Sequence, residues 1–516
     1  MSRDKSIPLK MTPTCRSLKG ITESIVEIDN ECDPIISGIQ IDSRKVKKSD
    51  LFLAFPGEIA DGRDFIDAAI NQGASAVLFE ALNIGGQHFA HKGDLHTMIP
   101  VLPVKDVAKN AGYFAANFYG QPSKKMKVLG ITGTNGKTSC SHLLSEALTY
   151  LGKTSALIGT LGSGLWGSLS KNINTTPDPV SLQKSLSAMH RDGAEYVAME
   201  VSSHGLDQGR VNGIDYHTAI LTNISRDHLD YHGTMANYTR SKEQLFSCSS
   251  LKYGILSTDD AGARGVFERL QAQSSFEVIG VGRDVDLKFG RGIKITNVEI
   301  NGEMIVVQFK SSWGDGELNN SNLCGAFNVE NLLLTLAALL TLGFSFDKAL
   351  GALTRVQGIP GRMEKLGGGE LPRVFVDYAH TPDALQCALT AAKAYGSNKL
   401  ICVFGCGGDR DQGKRAEMGV IACEQADEVI VTADNPRSES VESICQQILS
   451  GVGSRAHCQI IQDRAQAIEQ AIRTAGVNDV VLVAGKGAET YQEVDGKRCD
   501  FSDRDVISVE LARRAA

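Results

Sequence analysis

The ten residues at 130–139, Gly-Ile-Thr-Gly-Thr-Asn-Gly-Lys-Thr-Ser, constrain the fold of this chain more than any other segment. They follow an apolar run at residues 126–130 and precede an amphipathic helical pattern. A glycine-rich turn between a strand and a helix surrounds phosphate oxygens with backbone N–H groups and with the positive end of the helix. Lys137 adds a positive charge there, and the Thr138 hydroxyl can bind Mg²⁺. The segment therefore predicts a binding site for a nucleoside triphosphate.

This loop is a variant of the standard phosphate loop. The standard pattern has a glycine five residues before Gly136, where this chain has Ile131. The alternative interpretation is a glycine-rich turn followed by a chance Lys-Thr pair. That alternative is disfavoured because the loop, the lysine, the hydroxyl and the flanking periodicity all agree.

Composition indicates a multidomain globular protein. At about 150 residues per domain, 516 residues correspond to about three domains. Hydrophobic residues make up 42% of the chain and charged residues 22%, which is ordinary for globular proteins. The net charge of −7 gives no electrostatic footprint for nucleic acid, so we expect no nucleic-acid partner.

No sequence signal indicates a membrane or an oxidising compartment. The first residues lack a long apolar core, and the apolar stretch at 331–344 is too short to span a bilayer. The twelve cysteines include no C-x-x-C pair, so neither a disulfide framework nor a zinc site is predicted. We expect the protein to be cytoplasmic and monomeric.

The apolar runs divide the chain into three α/β domains. Residues 1–108 form a small domain, residues 109–358 a phosphate-loop domain with a mostly parallel sheet, and residues 359–516 a Rossmann-like domain. A Gly-Ile-Pro-Gly turn at 358–361 marks the second boundary. The main predicted strands lie at 39–41, 51–54, 76–79, 99–104, 196–201, 218–224, 374–377, 400–404, 428–432 and 480–484, and helices at 64–72 and 328–342.

The last four strands each run into a polar or glycine-rich segment, at residues 378–381, 405–410, 434–437 and 485–489. Strands that are apolar on both faces and joined by helices are typical of a parallel sheet, which binds ligands at the carboxyl ends of its strands. The four segments should therefore line one edge and bind a charged small molecule. A dinucleotide fingerprint begins at Gly405 but has Arg410 in place of its last glycine, so NAD binding gains little support.

Carboxylates and imidazoles follow two strands of the central region. Glu200 ends one strand and His228 and His232 follow another, where a second divalent ion could bind beside the phosphate loop. A zinc peptidase needs a glutamate directly after the first histidine, where this chain has Leu229. The alternative is a loop whose histidines are satisfied locally. The amphipathic pattern alone predicts that Lys242 faces solvent.

These features leave a kinase, a GTPase and a carboxylate–amine ligase open. A regulatory GTPase normally carries an Asn-Lys-x-Asp guanine reader. The only Asn-Lys pair, Asn398-Lys399, is followed by Leu400, so the GTPase is disfavoured.

Five segments together resemble the ATP-dependent Mur ligases, over nearly the whole chain. They are Gly-Thr-Asn-Gly-Lys-Thr at 133–138, Met-Glu-Val-Ser-Ser-His-Gly-Leu at 199–206, Asn-Ile-Ser-Arg-Asp-His-Leu-Asp-Tyr-His-Gly at 223–233, Gly-Ala-Phe-Asn at 325–328 and Val-Asp-Tyr-Ala-His-Thr-Pro at 376–382. Within the family, residues 405–415 and 434–437 are similar to those of members that add meso-diaminopimelate to UDP-N-acetylmuramoyl-L-Ala-D-Glu in peptidoglycan synthesis. One departure is Ala488, where the family usually has a histidine.

The resemblance implies a role for each matching position. The UDP-muramoyl dipeptide would be held by Ile41, Ser43, Glu58, Ile59 and Ala60 at its uridine end and by Asn174, Thr175, Thr176, Ser202, Gln208 and Arg210 elsewhere. ATP would be held by Gly133, Thr134, Asn135, Gly136, Lys137, Thr138, Ser139, Asn331, Arg362 and Asp377. Mg²⁺ would be bound by Thr138, Glu200 and His228 beside a carbamylated Lys242, and Lys137, Glu200, His228 and Lys242 would form the catalytic set. Diaminopimelate would be held by Arg410, Asp434, Asn435, Pro436, Arg437, Gly485 and Glu489.

The implied reaction is the formation of an amide bond. Transfer of the γ-phosphoryl group of ATP would convert a substrate carboxylate to an acyl phosphate, and an amine would then displace the phosphate. Two alternatives are another ligase of the same fold, such as folylpolyglutamate synthase or the lysine-adding Mur ligase, and a non-catalytic nucleotide-dependent scaffold. Arg437 argues against lysine, because lysine lacks the second carboxylate that an arginine would bind.

Overall fold

A computed structural model describes residues 15–23, 25–57, 60–82, 99–172, 174–301, 304–396, 398–452 and 457–516. In these residues the chain forms three main sheets, each built from one continuous stretch of sequence. The predicted α/β class with three sheet-centred regions is confirmed. The domain boundaries at residues 108 and 358 stay predictions.

The first sheet has four parallel strands, in the spatial order Gly38–Gln40, Asp50–Ala54, Ala76–Glu80 and Val101–Val104. The helix Val107–Phe118 buries Phe114 against one face of this sheet. The helix Ile66–Asn71 packs on the other face. A strand pair, Arg16–Ser17 with Ile35–Ile36, and the short helix Leu18–Thr22 complete the region.

The second sheet has ten strands, of which the seven in the middle run parallel. Their spatial order is Gly316–Asn320, Met304–Ser311, Gly292–Asn301, Glu277–Gly282, Tyr253–Ser257, Thr218–Leu221, Lys127–Thr132, Tyr196–Glu200, Ser155–Gly159 and Gly162–Leu165. The helices of this region are Lys137–Tyr150, Pro179–Arg191, Ser203–Asp207, Leu229–His232, Met235–Glu243, Ala261–Gln273, Phe327–Thr341 and Phe346–Leu353. Because the strand before the phosphate loop lies between the strands that precede Ser202 and Thr222, these three segments meet at one edge.

The helix predicted after the phosphate loop is present, and it begins within the segment 130–139, at Lys137. It spans Lys137–Tyr150 and buries Leu143, Leu144 and Leu148 in the same core as the helix Phe327–Thr341. Gly136 precedes it with φ of 84°, a left-handed conformation that glycine adopts without steric cost. A Cβ atom at this position would lie 2.7 Å from Asn331 Oδ1, so close packing also requires glycine here.

The third sheet has six strands, in the spatial order Glu364–Gly367, Arg373–Asp377, Val480–Ala484, Leu400–Phe404, Glu428–Val431 and Cys458–Ile460. All pairs except the first are parallel. Its helices are Pro382–Lys393, Arg415–Gln425, Val441–Leu449, Arg464–Thr474 and Asp503–Ala515, and a hairpin joins Tyr491–Val494 to Lys497–Asp500. The four predicted strands are therefore neighbours, and their carboxyl ends share one edge as expected.

One cysteine pair was not indicated by the sequence. Cys423 is disulfide-bonded to Cys458, and a ring nitrogen of His457 lies within 4.8 Å of both sulfurs. The two cysteines come from the end of a helix and the first residue of an edge strand, 35 residues apart, so no short spacing reveals them. A single pair is not a disulfide framework, so the expectation that the cysteines build no such framework stays a prediction.

The helices of the described residues offer no candidate for a membrane-spanning segment. Among the residues that the structure describes, no helix has both the length and the apolar character needed to cross a bilayer.

Candidate active site

A cleft of about 940 Å³ opens between the carboxyl ends of the second and third sheets. It brings together most of the residues that the sequence singles out, from segments far apart in the chain. Those in its wall are Thr134, Asn135, Gly136, Lys137, Thr138, Ser139, Asn174, Thr175, Thr176, Glu200, Ser202, Arg210, His228, Lys242, Asn331, Arg362, Asp377, Arg410, Asp434, Asn435, Arg437, Gly485 and Glu489.

Some predicted residues lie elsewhere. Gly133, Gln208 and Pro436 are next to wall residues but do not line the cleft. Ile41 and Ser43 directly follow the first strand of the first sheet, and Ala60 is exposed in the same region, all outside the cleft wall. Glu58 and Ile59 fall outside the described residues.

The phosphate loop is held by Asn223, which follows the neighbouring strand Thr218–Leu221. The backbone N–H of Thr134 donates to the Asn223 carbonyl at 2.9 Å, and that of Asn135 donates to Asn223 Oδ1 at 2.8 Å. Lys137 Nζ folds back and donates to the carbonyls of Gly133 at 2.8 Å and Thr134 at 2.9 Å. Burial lowers the pKa of Lys137, and Glu200 opposes that shift. These hydrogen bonds fix the conformation of the loop.

Glu200 is fully buried at the end of its strand. Its carboxylate accepts hydrogen bonds from Thr138 Oγ1 at 3.0 Å and from the N–H and Oγ1 of Thr160 at 2.9 and 3.0 Å. Within the described part of the chain, no lysine or arginine forms an ion pair with it. A buried carboxylate without a direct ion pair is costly to keep charged, and oxygen ligands suit Mg²⁺. The donor set therefore fits a divalent cation.

His228 and Asp227 form a pair at the start of the short helix after the neighbouring strand. His228 Nε2 lies 3.2 Å from Asp227 Oδ2, and burial lowers the pKa of His228 to about 3. Although Asp227 opposes this shift, the lowered pKa favours the neutral imidazole, which has a lone pair that can bind a metal. His232 instead lies 3.0 Å from Ser203 Oγ, so for this histidine the interpretation of a locally satisfied ring holds.

Asp227 links the second and third sheets and was missed by the sequence analysis. Its buried carboxylate lies 3.6 Å from both His380 Nε2 and Lys414 Nζ. Burial opposes its ionisation, yet the pKa of Asp227 lies well below its usual range because His380 and the charge of Lys414 favour the carboxylate. The only sequence signal was its position next to His228, since its other partners are distant in the chain.

Lys242 does not face solvent, so the prediction from the amphipathic pattern is wrong. Its side chain is 1% exposed, Nζ donates to the Gly133 carbonyl at 2.8 Å, and the Tyr238 ring centroid lies 4.4 Å away. The polar face of its helix packs on a neighbouring helix, where Ser241 Oγ donates to the Ser203 carbonyl at 2.7 Å. Burial, with the nearby charge of Lys137, holds the pKa of Lys242 well below its usual range.

The segment around Thr176 lies against the strand that ends at Glu200. Thr176 Oγ1 donates to the Glu200 carbonyl at 3.1 Å and accepts from the Ser202 N–H at 3.0 Å. Arg210 Nη1 donates to the Thr176 carbonyl at 3.1 Å. These polar side chains thus form one continuous wall next to the phosphate loop.

The opposite wall is the polar edge of the third sheet. Asn435 Nδ2 donates to Glu489 Oε2 at 3.0 Å, and Arg437 Nη1 donates to the Gly408 carbonyl at 2.7 Å. The backbone N–H of Arg437 donates to the Glu493 carbonyl at 3.0 Å, which ties this edge to the hairpin. Across the cleft, Arg362 Nη2 donates to Thr138 Oγ1 at 2.9 Å. The phosphate loop and the charged, polar edge of the third sheet therefore face the same cleft.

Comparison with known proteins identifies the family. Residues 35–119 match the Mur ligase family catalytic domain, residues 131–339 the Mur ligase middle domain, and residues 361–487 the Mur ligase glutamate ligase domain. The chain belongs to the Mur ligase family. Mur ligases are ATP- and Mg²⁺-dependent amide ligases, so this chain is an enzyme of that class.

Relatives of this Mur ligase cover most of its length. A protein from Coxiella burnetii, 42% identical over 483 residues, covers 94% of this chain and 96% of itself. A protein from Chromobacterium violaceum, 45% identical over 472 residues, covers 91% of this chain and 92% of itself. Both are named UDP-N-acetylmuramoyl-L-alanyl-D-glutamate–2,6-diaminopimelate ligase.

Solved structures agree with this Mur ligase fold. A structure with that same ligase name is 34% identical, has a TM-score of 0.68, and matches 97% of this chain and 99% of its own. MurF from Acinetobacter baumannii is 17% identical with a TM-score of 0.64, over 97% of this chain and 100% of its own. A folylpolyglutamate synthase from Mycobacterium tuberculosis is 18% identical with a TM-score of 0.60. The match covers 79% of this chain and 95% of the synthase chain. The last two likenesses support the fold alone.

Proposed function

We propose that this Mur ligase joins meso-diaminopimelate to UDP-N-acetylmuramoyl-L-Ala-D-Glu, converting ATP to ADP and phosphate, in cytoplasmic synthesis of peptidoglycan precursors. The observation that carries the proposal is a single cleft in which a phosphate loop faces a separate charged edge. The names of the relatives at 42% and 45% identity support the choice of substrates.

The two walls would bind different substrates. Residues 133–139 with Asn331, Arg362 and Asp377 would hold ATP, and the wall around Thr176 would hold the peptide end of the UDP substrate. The region of the first sheet, with Ile41, Ser43 and Ala60, would hold the uridine end, since these residues lie outside the cleft. Division of the chain at residues 108 and 358 would then separate three binding functions.

Mg²⁺ would be held by Glu200, His228 and the Thr138 hydroxyl, whose chemistry fits it. When bound, the ion supplies positive charge beside the phosphates and so lowers the barrier to phosphoryl transfer. Lys137 would bind phosphate oxygens, because this cationic residue of the loop lies in the cleft wall.

The chain would catalyse two successive steps. First, an oxygen of the D-glutamate γ-carboxylate attacks the γ-phosphorus of ATP and ADP leaves, which gives an acyl phosphate. The neutral amine of diaminopimelate then attacks the acyl carbon, inorganic phosphate leaves, and the amine loses a proton. Because both walls must contact substrates at once, closure of the cleft would exclude water that hydrolyses the acyl phosphate.

Release of phosphate tests this function. We expect phosphate release only when ATP, the UDP-muramoyl dipeptide and diaminopimelate are all present, with one amide product per phosphate. A non-catalytic scaffold would release none under any combination. Glutamate-dependent release with a folate substrate instead would favour the folylpolyglutamate alternative.

Arg437 is predicted to set the preference for diaminopimelate over lysine. Its guanidinium lines the cleft, and such a fork pairs with a carboxylate through two charge-assisted hydrogen bonds. Lysine has no carboxylate at its far end, and a stranded charge costs about 2–5 kcal/mol. We therefore expect diaminopimelate to exceed L-lysine in kcat/KM by about 30-fold to several-thousand-fold.

Competition kinetics with both amino acids will test that prediction. Arg437→Ala should remove most of the preference by weakening the use of diaminopimelate. Arg473→Ala is the matched control, since this exposed arginine donates a hydrogen bond to Gln470 in the same helix and does not line the cleft. Equal use of the two amino acids by the wild type, or an unchanged ratio in Arg437→Ala, would place the specificity elsewhere.

A further inference from the structure

Lys486 is a buried lysine beside the charged edge, and none of the proposed roles uses it. Its side chain is 0% exposed, in the Gly-Lys-Gly segment that follows the strand Val480–Ala484. Nζ donates to Glu489 Oε2 at 2.9 Å and to Asn435 Oδ1 at 3.1 Å. A lysine is almost never fully buried unless it is paired, so its two partners explain why it is tolerated there.

The lysine fixes the orientation of the Asn435 amide. Asn435 Oδ1 accepts from Lys486 and also from the backbone N–H of Glu493 at 2.9 Å. The amide nitrogen of Asn435 must therefore point the other way, where it donates to Glu489 Oε2 at 3.0 Å. If the amide were flipped, its NH₂ group would face the donors Lys486 Nζ and Glu493 N–H, and no hydrogen bond could form with either.

The same contacts occupy only one oxygen of the Glu489 carboxylate. Oε2 accepts from both Lys486 and Asn435, whereas no described residue donates a hydrogen bond to Oε1. Glu489 lines the cleft, so this second oxygen is available to a ligand there. A carboxylate oxygen is a suitable partner for an ammonium group and a poor one for a carboxylate.

We propose that Lys486 is a positioning residue that holds Asn435 and Glu489 so that Glu489 Oε1 binds an ammonium group of the amino-acid substrate. This inference rests on the proposed function, because it assumes that an amino acid enters this edge of the cleft. Lys486 does not touch the substrate itself, since its side chain is enclosed. Loss of Lys486 would leave the Glu489 carboxylate free to rotate. The negative charge of Glu489 would also lose its buried cationic partner.

Steady-state kinetics on Lys486→Met and Lys486→Gln will test the role. We expect KM for diaminopimelate to rise about 30-fold or more, while KM for ATP and for the UDP-muramoyl dipeptide change less than about threefold. Lys399→Met is the matched control, because Lys399 also pairs with a glutamate, Glu428, but on the exposed surface. This control should leave all three KM values unchanged.

A double-mutant cycle separates positioning from general stability. If Lys486 acts through Glu489, the effects of Lys486→Met and Glu489→Gln on KM for diaminopimelate should not multiply in the double variant. The proposal would be overturned if KM for diaminopimelate did not change, or if the effects of the two substitutions on it multiplied in the double variant. It would also be overturned if KM rose equally for all three substrates. Loss of ADP binding in both Lys486 variants would also overturn it, since that marks a general structural role. An inactive wild type would instead contradict the proposed function.

Discussion

Lys137→Ala is expected to lower kcat on the order of a thousandfold, with a smaller effect on the binding of ADP. The lysine interacts most strongly when negative charge moves onto the leaving group, so its removal raises the barrier more than it weakens ground-state binding. The alanine variant also loses the two hydrogen bonds from Nζ to the carbonyls of Gly133 and Thr134. Both effects act on the phosphoryl transfer step.

Single-turnover phosphate release will measure that step directly. Lys153→Ala is the control, because Lys153 lies in the same region but forms an exposed ion pair with Glu195 at 3.0 Å. We expect the control to keep wild-type rates. Wild-type turnover in Lys137→Ala would contradict the assignment of residues 133–139 as the phosphate loop.

Lys242→Ala is expected to be nearly inactive and to regain part of its activity with small carboxylates such as formate. We predict that Lys242 carries a carbamate, formed when its neutral amine attacks CO₂ and releases a proton. An ordinary lysine with a pKa of about 10.4 is only about 0.04% neutral at pH 7. Burial holds the pKa of Lys242 well below that range, which raises the reactive neutral fraction.

The carbamate would reverse the sign of the charge at this position. An ammonium group at this position, near Lys137, would repel a metal ion, whereas the carbamate would support one beside Glu200 and His228. Because only the unprotonated amine reacts, occupancy should increase as pH rises through the lowered pKa of Lys242 and fall below it.

Intact mass measured in bicarbonate will detect the adduct. We expect the wild type to gain the mass of one CO₂, and Lys242→Ala to gain none. Exposed Lys252 provides the control, since Lys252→Ala should keep both the adduct and the activity. A bare amine at Lys242 in a fully active enzyme would contradict the prediction.

The sheets could be predicted largely from apolar runs, because a strand that is buried on both faces has apolar residues at nearly every position. Two strands, Leu400–Phe404 and Val480–Ala484, have the bounds that the sequence predicts. The strand predicted at 218–224 ends instead at Leu221. Thr222 Oγ1 donates to the Asn135 carbonyl and Asn223 supports the phosphate loop, so these residues leave the ladder to hold the site. Tertiary contacts with the loop therefore override the strand pattern.

The candidate site was less accessible to sequence reasoning where it depends on long-range packing. Lys242 was misplaced because helical periodicity cannot tell solvent from the polar surface of a neighbouring helix. Asp227 and Lys486 were missed because the partners that connect them across the site, Lys414 for Asp227 and Asn435 for Lys486, come from distant segments. The residues carried over from the family resemblance mostly lie in one cleft, but their individual roles stay predictions.

The fate of a heavy-oxygen label in the D-glutamate γ-carboxylate tests the account most directly. The labelled UDP-muramoyl dipeptide would be incubated with the enzyme, ATP and diaminopimelate, and the phosphate and peptide products analysed by mass spectrometry. An acyl phosphate places one labelled oxygen in each inorganic phosphate released and forms one diaminopimelate amide with it. Unlabelled phosphate, or phosphate released without the amide, would contradict the assignment of this chain as a diaminopimelate-adding ligase that acts through an acyl phosphate.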